Sequence, residues 1–172
     1  INGDNAILKC GKYINKLEKY FNSLKLEKNT IFDIPFTTMN IAKINGGSAI
    51  NIVPDKVELF YDFRTISPKQ NDKILKFITN LSRKYNCKSE ILNNVLPKVN
   101  VNKKNISFIK NIIGEDPKGM NYVTEGNFLN KNNIMILGPG PVTAHQKNEY
   151  ISIISYENTI EIYKKLIEFY CN

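Results

Sequence analysis

The sequence predicts a mixed α/β fold in two parts, and three observations support it. An apolar content of 42% over 172 residues is enough for a packed core. Residues 1–96 carry two amphipathic helix patterns around two strand patterns. Beyond about residue 105, short apolar runs alternate with helix patterns, which is typical of an α/β layer with a parallel sheet. We therefore expect one domain at 1–96 and a second segment at 97–172.

The first part predicts the order helix, strand, strand, helix, strand. Asp4 is the predicted N-cap of the first helix, whose apolar residues recur at steps of three and four: Ile7, Cys10, Ile14, Leu17, Phe21 and Leu24. Strands are predicted at 37–44 and 48–65 around a turn at 45–47, because the second run alternates apolar and charged residues from Val57 to Arg64. The second helix begins near Pro68, and 87–94 returns as a strand.

This order lacks only the first strand of the β-α-β-β-α-β, ferredoxin-like unit. The chain also begins with Ile1 rather than Met, and a helix pattern follows almost at once. We expect a fragment whose first domain lacks its first strand.

The second part predicts a helix at about 105–114, a strand at 121–124, a short helix within "EGNFLN", a strand at 133–137 and a closing helix at about 155–170. A loop punctuated by Gly and Pro, "GPGP", follows the strand at 133–137.

Composition argues against several classes of protein. The net charge is +8, but 22 of the 24 basic residues are lysines spread among acidic residues. A nucleic-acid binder is therefore a distant third hypothesis, behind the enzyme and the binding module described below. No apolar run reaches the roughly 18 residues of a membrane span, and the start lacks the layout of a signal peptide, so we expect a cytoplasmic protein. Cys10, Cys87 and Cys171 share no metal-ligand or disulfide spacing and are expected to be buried or half-buried thiols.

Few side chains in this sequence are candidates for chemistry. His145 is the only histidine and follows an apolar strand pattern, but a hydrolytic metal site needs several ligands. Arg64, one of two arginines, offers a planar fork for a carboxylate, or else pairs with Asp62 on the same strand face. Asn51 either presents its amide to a substrate or holds a turn.

Thr124 and Glu125 lie at a predicted strand-to-helix junction. There a hydroxyl is ordinarily an N-cap, and a glutamate ordinarily interacts with the helix dipole.

Four segments carry a family resemblance: "GDNAI" (3–7), "INGGSAINIVPDKVELFYDFR" (44–64), "YVTEGNF" (122–128) and "LGPGPVTAHQKNEY" (137–150). Together they resemble the zinc aminoacylase and carboxypeptidase family, which contains acetylornithine deacetylase, succinyl-diaminopimelate desuccinylase and glutamate carboxypeptidase. Among these subfamilies the two C-terminal blocks are most similar to acetylornithine deacetylase. The resemblance implies a ferredoxin-like lid, which is the family's dimerisation domain, followed by the C-terminal part of a zinc-peptidase-like α/β catalytic domain.

The resemblance also implies roles for individual residues. His145 falls on the family's last metal ligand, while Asn51 and Arg64 fall on lid positions that reach a substrate in family dimers. Thr124 and Glu125 fall on a loop that lines the pocket. Gly138 and Gly140 fall on a loop whose backbone passes close to the site.

The front half of the catalytic domain, with its His-x-Asp motif, bridging aspartate and Glu-Glu pair, is not in this sequence. We therefore expect no catalytic residue here and no zinc centre on this polypeptide alone. The intact enzyme is expected to be a homodimer that uses one or two zinc ions, or cobalt, to deacylate an N-acyl amino acid, N-acetylornithine foremost. A desuccinylase, a dipeptidase and a non-catalytic dimerisation or binding module remain the alternatives.

Overall fold

The computed structural model describes residues 3–98, 102–120, 122–129, 134–141, 143–144 and 146–171. The chain divides into two compact units, one of Ile1–Lys98 with Lys118–Asn127 and one of Val99–Pro117 with Phe128–Asn172. The first unit holds two α-helices, a sheet and a one-turn 3-10 helix, and the second holds two further α-helices.

The first unit contains helix α1 (Ala6–Leu24), strand β1 (Thr38–Gly46), strand β2 (Val57–Arg64) and helix α2 (Pro68–Lys84). The strands form a two-stranded antiparallel sheet in which Thr38 lies opposite Arg64 and Gly46 lies opposite Val57. The predicted mixed α/β class is confirmed, and these elements fit the ferredoxin-like lid.

Helix α1 forms where the apolar spacing predicts it, but its cap is one residue later than expected. Asn5, not Asp4, is the N-cap: its side-chain Oδ1 accepts hydrogen bonds from the backbone N–H groups of Ile7 and Leu8, at 3.0 and 3.1 Å. Asp4 instead pairs with Lys9 at 3.1 Å. Both residues belong to the set that caps helices, so only the backbone geometry decides between them.

The predicted strand at 48–65 is wrong over its first nine residues. Residues 47–56 form a loop, because Gly47 has a φ of +82°, Ile52 N donates to Ala49 O in a turn at 3.2 Å, and Pro54 has no N–H to give to a ladder. From Val57 to Arg64 the predicted alternation is confirmed, with every second side chain turned towards the core.

The core of the first unit lies between the sheet and the two helices. Its buried members come from α1 and α2 and are Tyr13, Leu17, Phe21, Leu24, Ile74, Ile78 and Leu81. Met39, Leu59, Tyr61 and Phe63 pack on them from the sheet, and the rings of Tyr20 and Phe77 stack at 3.7 Å. Helix α2 begins at Pro68, as predicted, behind the N-cap Ser67.

The predicted strand at 87–94 is wrong, since those residues form no strand. In a ferredoxin-like sheet the last strand pairs with the first, and the described residues hold no strand ahead of α1. A segment without a neighbouring strand has no partner for its backbone groups.

The second unit contains helix α3 (Lys103–Ile113) and helix α4 (Ile153–Cys171), so both predicted long helices are confirmed. The strands predicted at 121–124 and 133–137 are wrong at the positions that the structure describes, 122–124 and 134–137. The parallel sheet expected for this part is therefore not formed in the described residues. A parallel strand needs neighbours on the same sheet, and apolar sequence alone does not supply them.

Helix α4 is apolar on two sides. Ser155, Thr159, Ile162 and Leu166 are its less exposed residues, and Phe169 stacks on Phe108 of α3 with ring centroids 3.6 Å apart. A second stripe recurs at steps of three and four, and its members are 41 to 74% exposed: Ile153, Tyr156, Ile160, Tyr163, Ile167 and Tyr170. Such a helix is typical of the interior of a larger domain.

The structure also bears on the expectations about membrane spans and cysteine burial. Within the described ranges, no helix is both long and apolar enough to span a bilayer. Cys10 is half-buried as expected, whereas Cys87 and Cys171 are exposed, which corrects the expectation of buried or half-buried thiols.

Tyr61 makes the stability of the first unit sensitive to alkaline pH. Burial, and then a hydrogen bond with the Tyr13 hydroxyl at 3.4 Å, raise the pKa of the Tyr61 phenol well above its ordinary value of 10.0. Above about pH 10 the unfolded chain ionises this phenol before the folded chain does, so the free energy of unfolding falls as pH rises, by up to about 1.4 kcal/mol per pH unit. We expect Tyr61→Phe to remove this part of the slope in urea titrations between about pH 9 and 11.

The matched control is Tyr150→Phe, because the Tyr150 side chain is 61% exposed. Its slope should equal that of the unsubstituted chain, since this substitution removes an exposed hydroxyl outside the first unit. Equal slopes for Tyr61→Phe and Tyr150→Phe would contradict the role of the buried phenol.

Candidate functional site

Arg64 is the last residue of β2 and lies on the exposed face of the hairpin, opposite Thr38. Its Nε donates to Asp62 Oδ2 at 3.3 Å, and the two side chains are 57% and 61% exposed. The salt bridge considered from the sequence is thus present. At that exposure an ion pair contributes about 0 to 1 kcal/mol.

Asn51 lies in the exposed loop between the strands, in the turn that Ile52 N and Ala49 O close. The turn interpretation of Asn51 therefore agrees with the backbone, and the exposure of its side chain leaves the amide available to a ligand.

The hairpin places Asn51 and Arg64 at opposite ends. Strand β2 runs from Val57, next to the loop, to Arg64, a length of roughly 24 Å at about 3.4 Å per residue. One small substrate therefore does not reach both side chains of a single copy.

The loop docks on the start of α1 through contacts that the sequence alone did not reveal. Ala6 N donates to Pro54 O at 2.9 Å, and a Cβ added to Gly3 would lie 3.1 Å from Val53 Cγ1. The segments "GDNAI" and "NIVP", both singled out for their resemblance, are thus neighbours in space. The sequence identified both motifs, but no pattern in a single sequence predicts that the two segments are in contact.

Thr124 and Glu125 lie at the start of a one-turn 3-10 helix, Glu125–Asn127. Thr124 is half-buried and Glu125 is exposed. The side chain that closes this turn is Asn127: its Oδ1 accepts from Thr124 N at 3.1 Å, and its Nδ2 donates to Leu96 O at 3.3 Å. Asn127 was not among the predicted site residues, although an Asn within a short turn is the usual residue for this role.

Gly138 and Gly140 belong to the second unit. The backbone N–H of Gly140 donates to Ser155 Oγ at 2.9 Å, which ties the loop to the first turn of α4. A Cβ added at either glycine would meet no atom of the described chain within 4 Å. Packing within the described residues therefore does not account for the two glycines, and their proposed role near a substrate stays a prediction.

His145 lies outside the described residues. The flanking loop is closed by Thr143, whose hydroxyl donates to Tyr150 O at 2.8 Å and accepts from Tyr150 N at 3.0 Å. Thr143 was not predicted from the sequence, because a Thr two residues after a Gly/Pro loop carries no distinctive signal.

Within the part of the chain that the structure describes, no group of three or more His, Cys, Asp or Glu side chains lies close enough together to hold a metal ion. The described donor set therefore does not fit a zinc centre by itself.

Similarity to known proteins covers nearly the whole chain. Acetylornithine deacetylase of Proteus mirabilis is 30% identical over 180 residues, which is 98% of this chain and 46% of that protein. Acetylornithine deacetylase of Photorhabdus laumondii is 29% identical over 180 residues, or 98% of this chain and 47% of that protein. The enzyme of the same name from Aliivibrio fischeri is 30% identical over 167 residues, or 91% and 43%. The chain spans about half the length of these curated relatives.

The family profile described as "Peptidase dimerisation domain" matches residues 2–89, just over half of the chain. That range includes α1, the hairpin and α2. The match and the lid geometry agree, and the chain belongs to the M20 peptidase family through its dimerisation domain.

Proposed function

We propose that this chain forms the lid (1–96) and the C-terminal catalytic segment (97–172) of an amidohydrolase that removes the acyl group from an N-acyl amino acid. N-acetylornithine, an intermediate of arginine biosynthesis, is the proposed substrate, and the proposed location is the cytoplasm. The alignment with proteins named acetylornithine deacetylase carries this proposal, because it runs over 98% of the chain rather than over the dimerisation domain alone.

The second unit supports the proposal. A helix with an exposed stripe of six large apolar side chains needs a partner surface, and the relatives are about twice as long as this chain. We infer that the rest of the catalytic domain covers this stripe of α4 in the complete enzyme.

The proposed roles of the side chains follow their chemistry. Arg64 would grip the free carboxylate of the substrate with two hydrogen bonds, and Asn51 would present its amide to the reacting acyl group. Thr124, Glu125, Gly138 and Gly140 are proposed pocket residues. One or two zinc ions, or cobalt, would activate water in the complete enzyme, with His145 as one ligand and the others outside this chain.

The proposed assembly is a homodimer through the lid. The match to a dimerisation domain supports it. The hairpin geometry supports it too: if Asn51 and Arg64 both touch one small substrate, they come from different copies, because within one copy they lie at opposite ends of β2.

The test is acetate release from N-acetylornithine by the complete, zinc- or cobalt-loaded enzyme. N-succinyl-diaminopimelate and a dipeptide belong in the same panel, since the substrates of the desuccinylase and dipeptidase alternatives differ in the acyl group and in the amino acid that carries it. A complete, metal-loaded enzyme that turns over no N-acyl amino acid would leave the dimerisation or binding module as the better hypothesis.

A separate prediction concerns metal binding by this chain alone. We expect only weak zinc binding in titration calorimetry, without a stoichiometric transition, because one histidine supplies one of the roughly four ligands that a zinc centre needs.

The control variant His145→Ala should change the weak heat signal little, and alkylating the three cysteines removes their contribution. Tight, one-to-one zinc binding that His145→Ala abolishes would show that this chain does complete a metal site.

A further inference from the structure

Two cysteines lie at one end of the first unit. Cys10 is on α1, one turn ahead of Tyr13. Cys87 lies just beyond α2, where its backbone N–H donates to Ser82 O at 3.0 Å and its thiol Sγ lies 3.5 Å from the same oxygen. The end of α2 therefore holds Cys87 in a defined position.

A set of side-chain contacts links this end of α2 to the turn of α1 that carries Cys10. The Tyr13 hydroxyl lies 3.2 Å from Ser82 Oγ, and the Tyr13 ring meets the Tyr85 ring edge-on at 5.8 Å. Long side chains on a helix lean towards its N-terminus, so we expect the Tyr13 phenol to lie over the turn that carries Cys10. Cys87 therefore lies next to the Tyr13 and Ser82 pair, and Cys10 lies one helical turn from Tyr13, at the end of α1 that packs against the end of α2.

The electrostatics of Cys10 agree with this placement. Burial first, and the neighbouring Cys87 thiolate second, raise the pKa of the Cys10 thiol above its ordinary value. The Cys87 charge also acts on the Tyr61 phenol, whose oxygen lies 3.4 Å from that of Tyr13. Both cysteines are free thiols, Cys10 half-buried and Cys87 exposed.

We propose that Cys10 and Cys87 form a reversible oxidation site that hydrogen peroxide converts to a disulfide. The exposed Cys87 thiolate attacks peroxide: an S–O bond forms, the O–O bond breaks, and water leaves after protonation. The Cys10 sulfur then attacks the Cys87 sulfenic acid, an S–S bond forms, and a second water leaves. Two thiols and one peroxide thus give one disulfide and two waters, and a dithiol reductant reverses the step.

The bond would join α1 to the segment that follows α2 and close the loop between residues 10 and 87. Closing a long loop restricts the unfolded chain more than the folded one, so the oxidised protein should unfold at a temperature several degrees higher.

The experiment treats the full 172-residue chain with an equimolar amount of hydrogen peroxide and titrates the remaining thiols with DTNB. Free thiols should fall from three to one, the intact mass should fall by two hydrogens, and peptide mapping should find residues 10 and 87 linked. Cys171→Ser is the matched control and should fall from two thiols to none. Cys10→Ser and Cys87→Ser should form no bond within the chain.

A second measurement does not depend on variants that fail to fold. Dibromobimane, which becomes fluorescent on bridging two neighbouring thiols, should label the reduced, unsubstituted chain and cross-link the same two peptides. A chain that keeps three thiols, that links only to other chains, or that pairs Cys171 would overturn the proposal, as would a reduced chain that dibromobimane does not bridge.

Discussion

Replacing Leu17 by alanine is expected to lower the free energy of unfolding of the first unit by about 3 kcal/mol. Leu17 is 0% exposed at the centre of the cluster that joins α1, α2 and the sheet. Truncation removes buried methyl groups and leaves a cavity that neighbours from three elements are too constrained to fill. Urea unfolding followed by the far-ultraviolet helix signal measures the loss.

The control is Leu8→Ala on the same helix. Leu8 is 67% exposed, and alanine has a slightly better helix propensity, so its effect should stay within about 0.5 kcal/mol. If the two variants unfolded at the same urea concentration, the cluster around Leu17 would not be the core that stabilises the unit.

The helices of this chain were predictable because their apolar spacing is set by the helix itself. Leu17, Phe21 and Leu24 on α1, and Ile74 and Ile78 on α2, recur at steps of three and four and are buried together. The alternation in β2 was predictable for the same reason, since side chains on a strand point to opposite faces in turn. These patterns are local and need no knowledge of the partner.

The errors fall where structure depends on a partner. The predicted strands at 87–94, 121–124 and 133–137 have suitable apolar residues but no neighbouring strand in the described chain. The prediction for the start of the strand at 48–65 was wrong because Pro54 and the turn at Ala49–Ile52 prevent strand pairing, although the residues there are apolar. The stripe on α4 looks like an ordinary helix pattern in the sequence, and only the structure shows that its side chains stay 41 to 74% exposed among the described residues.

For the candidate site, too, local sequence features were predictable, whereas positions that depend on the rest of the structure were not. Residue types and motif spacing identified Arg64 and Asn51 as candidates. Only the register of β1 with β2 shows that they lie at opposite ends of the hairpin. Asn127 and Thr143 were missed because their roles are hydrogen bonds to backbone groups three and seven residues away, which many Asn and Thr residues make.

The second large effect is expected at Arg64, and it rests on the proposed function. In the complete enzyme, Arg64→Lys should raise KM for N-acetylornithine roughly 10- to 100-fold and change kcat much less. Lysine keeps the charge but loses the planar fork that holds a carboxylate through two hydrogen bonds, and a lost charge-assisted bond costs about 1.5 to 3 kcal/mol. Initial-rate kinetics over a wide substrate range separate the two constants.

Two controls decide whether the carboxylate is what Arg64 recognises. Arg83→Lys, at an exposed position on α2, is the same chemical change and should leave KM unaltered. The carboxamide analogue of the substrate should bind poorly to the unsubstituted enzyme and no worse to Arg64→Lys, because the group that Arg64 contacts is already gone. Suppose that Arg64→Lys weakened binding of the carboxylate substrate and of the carboxamide analogue equally. Arg64 would then act through the lid surface or its pair with Asp62 rather than by hydrogen bonds to the substrate carboxylate.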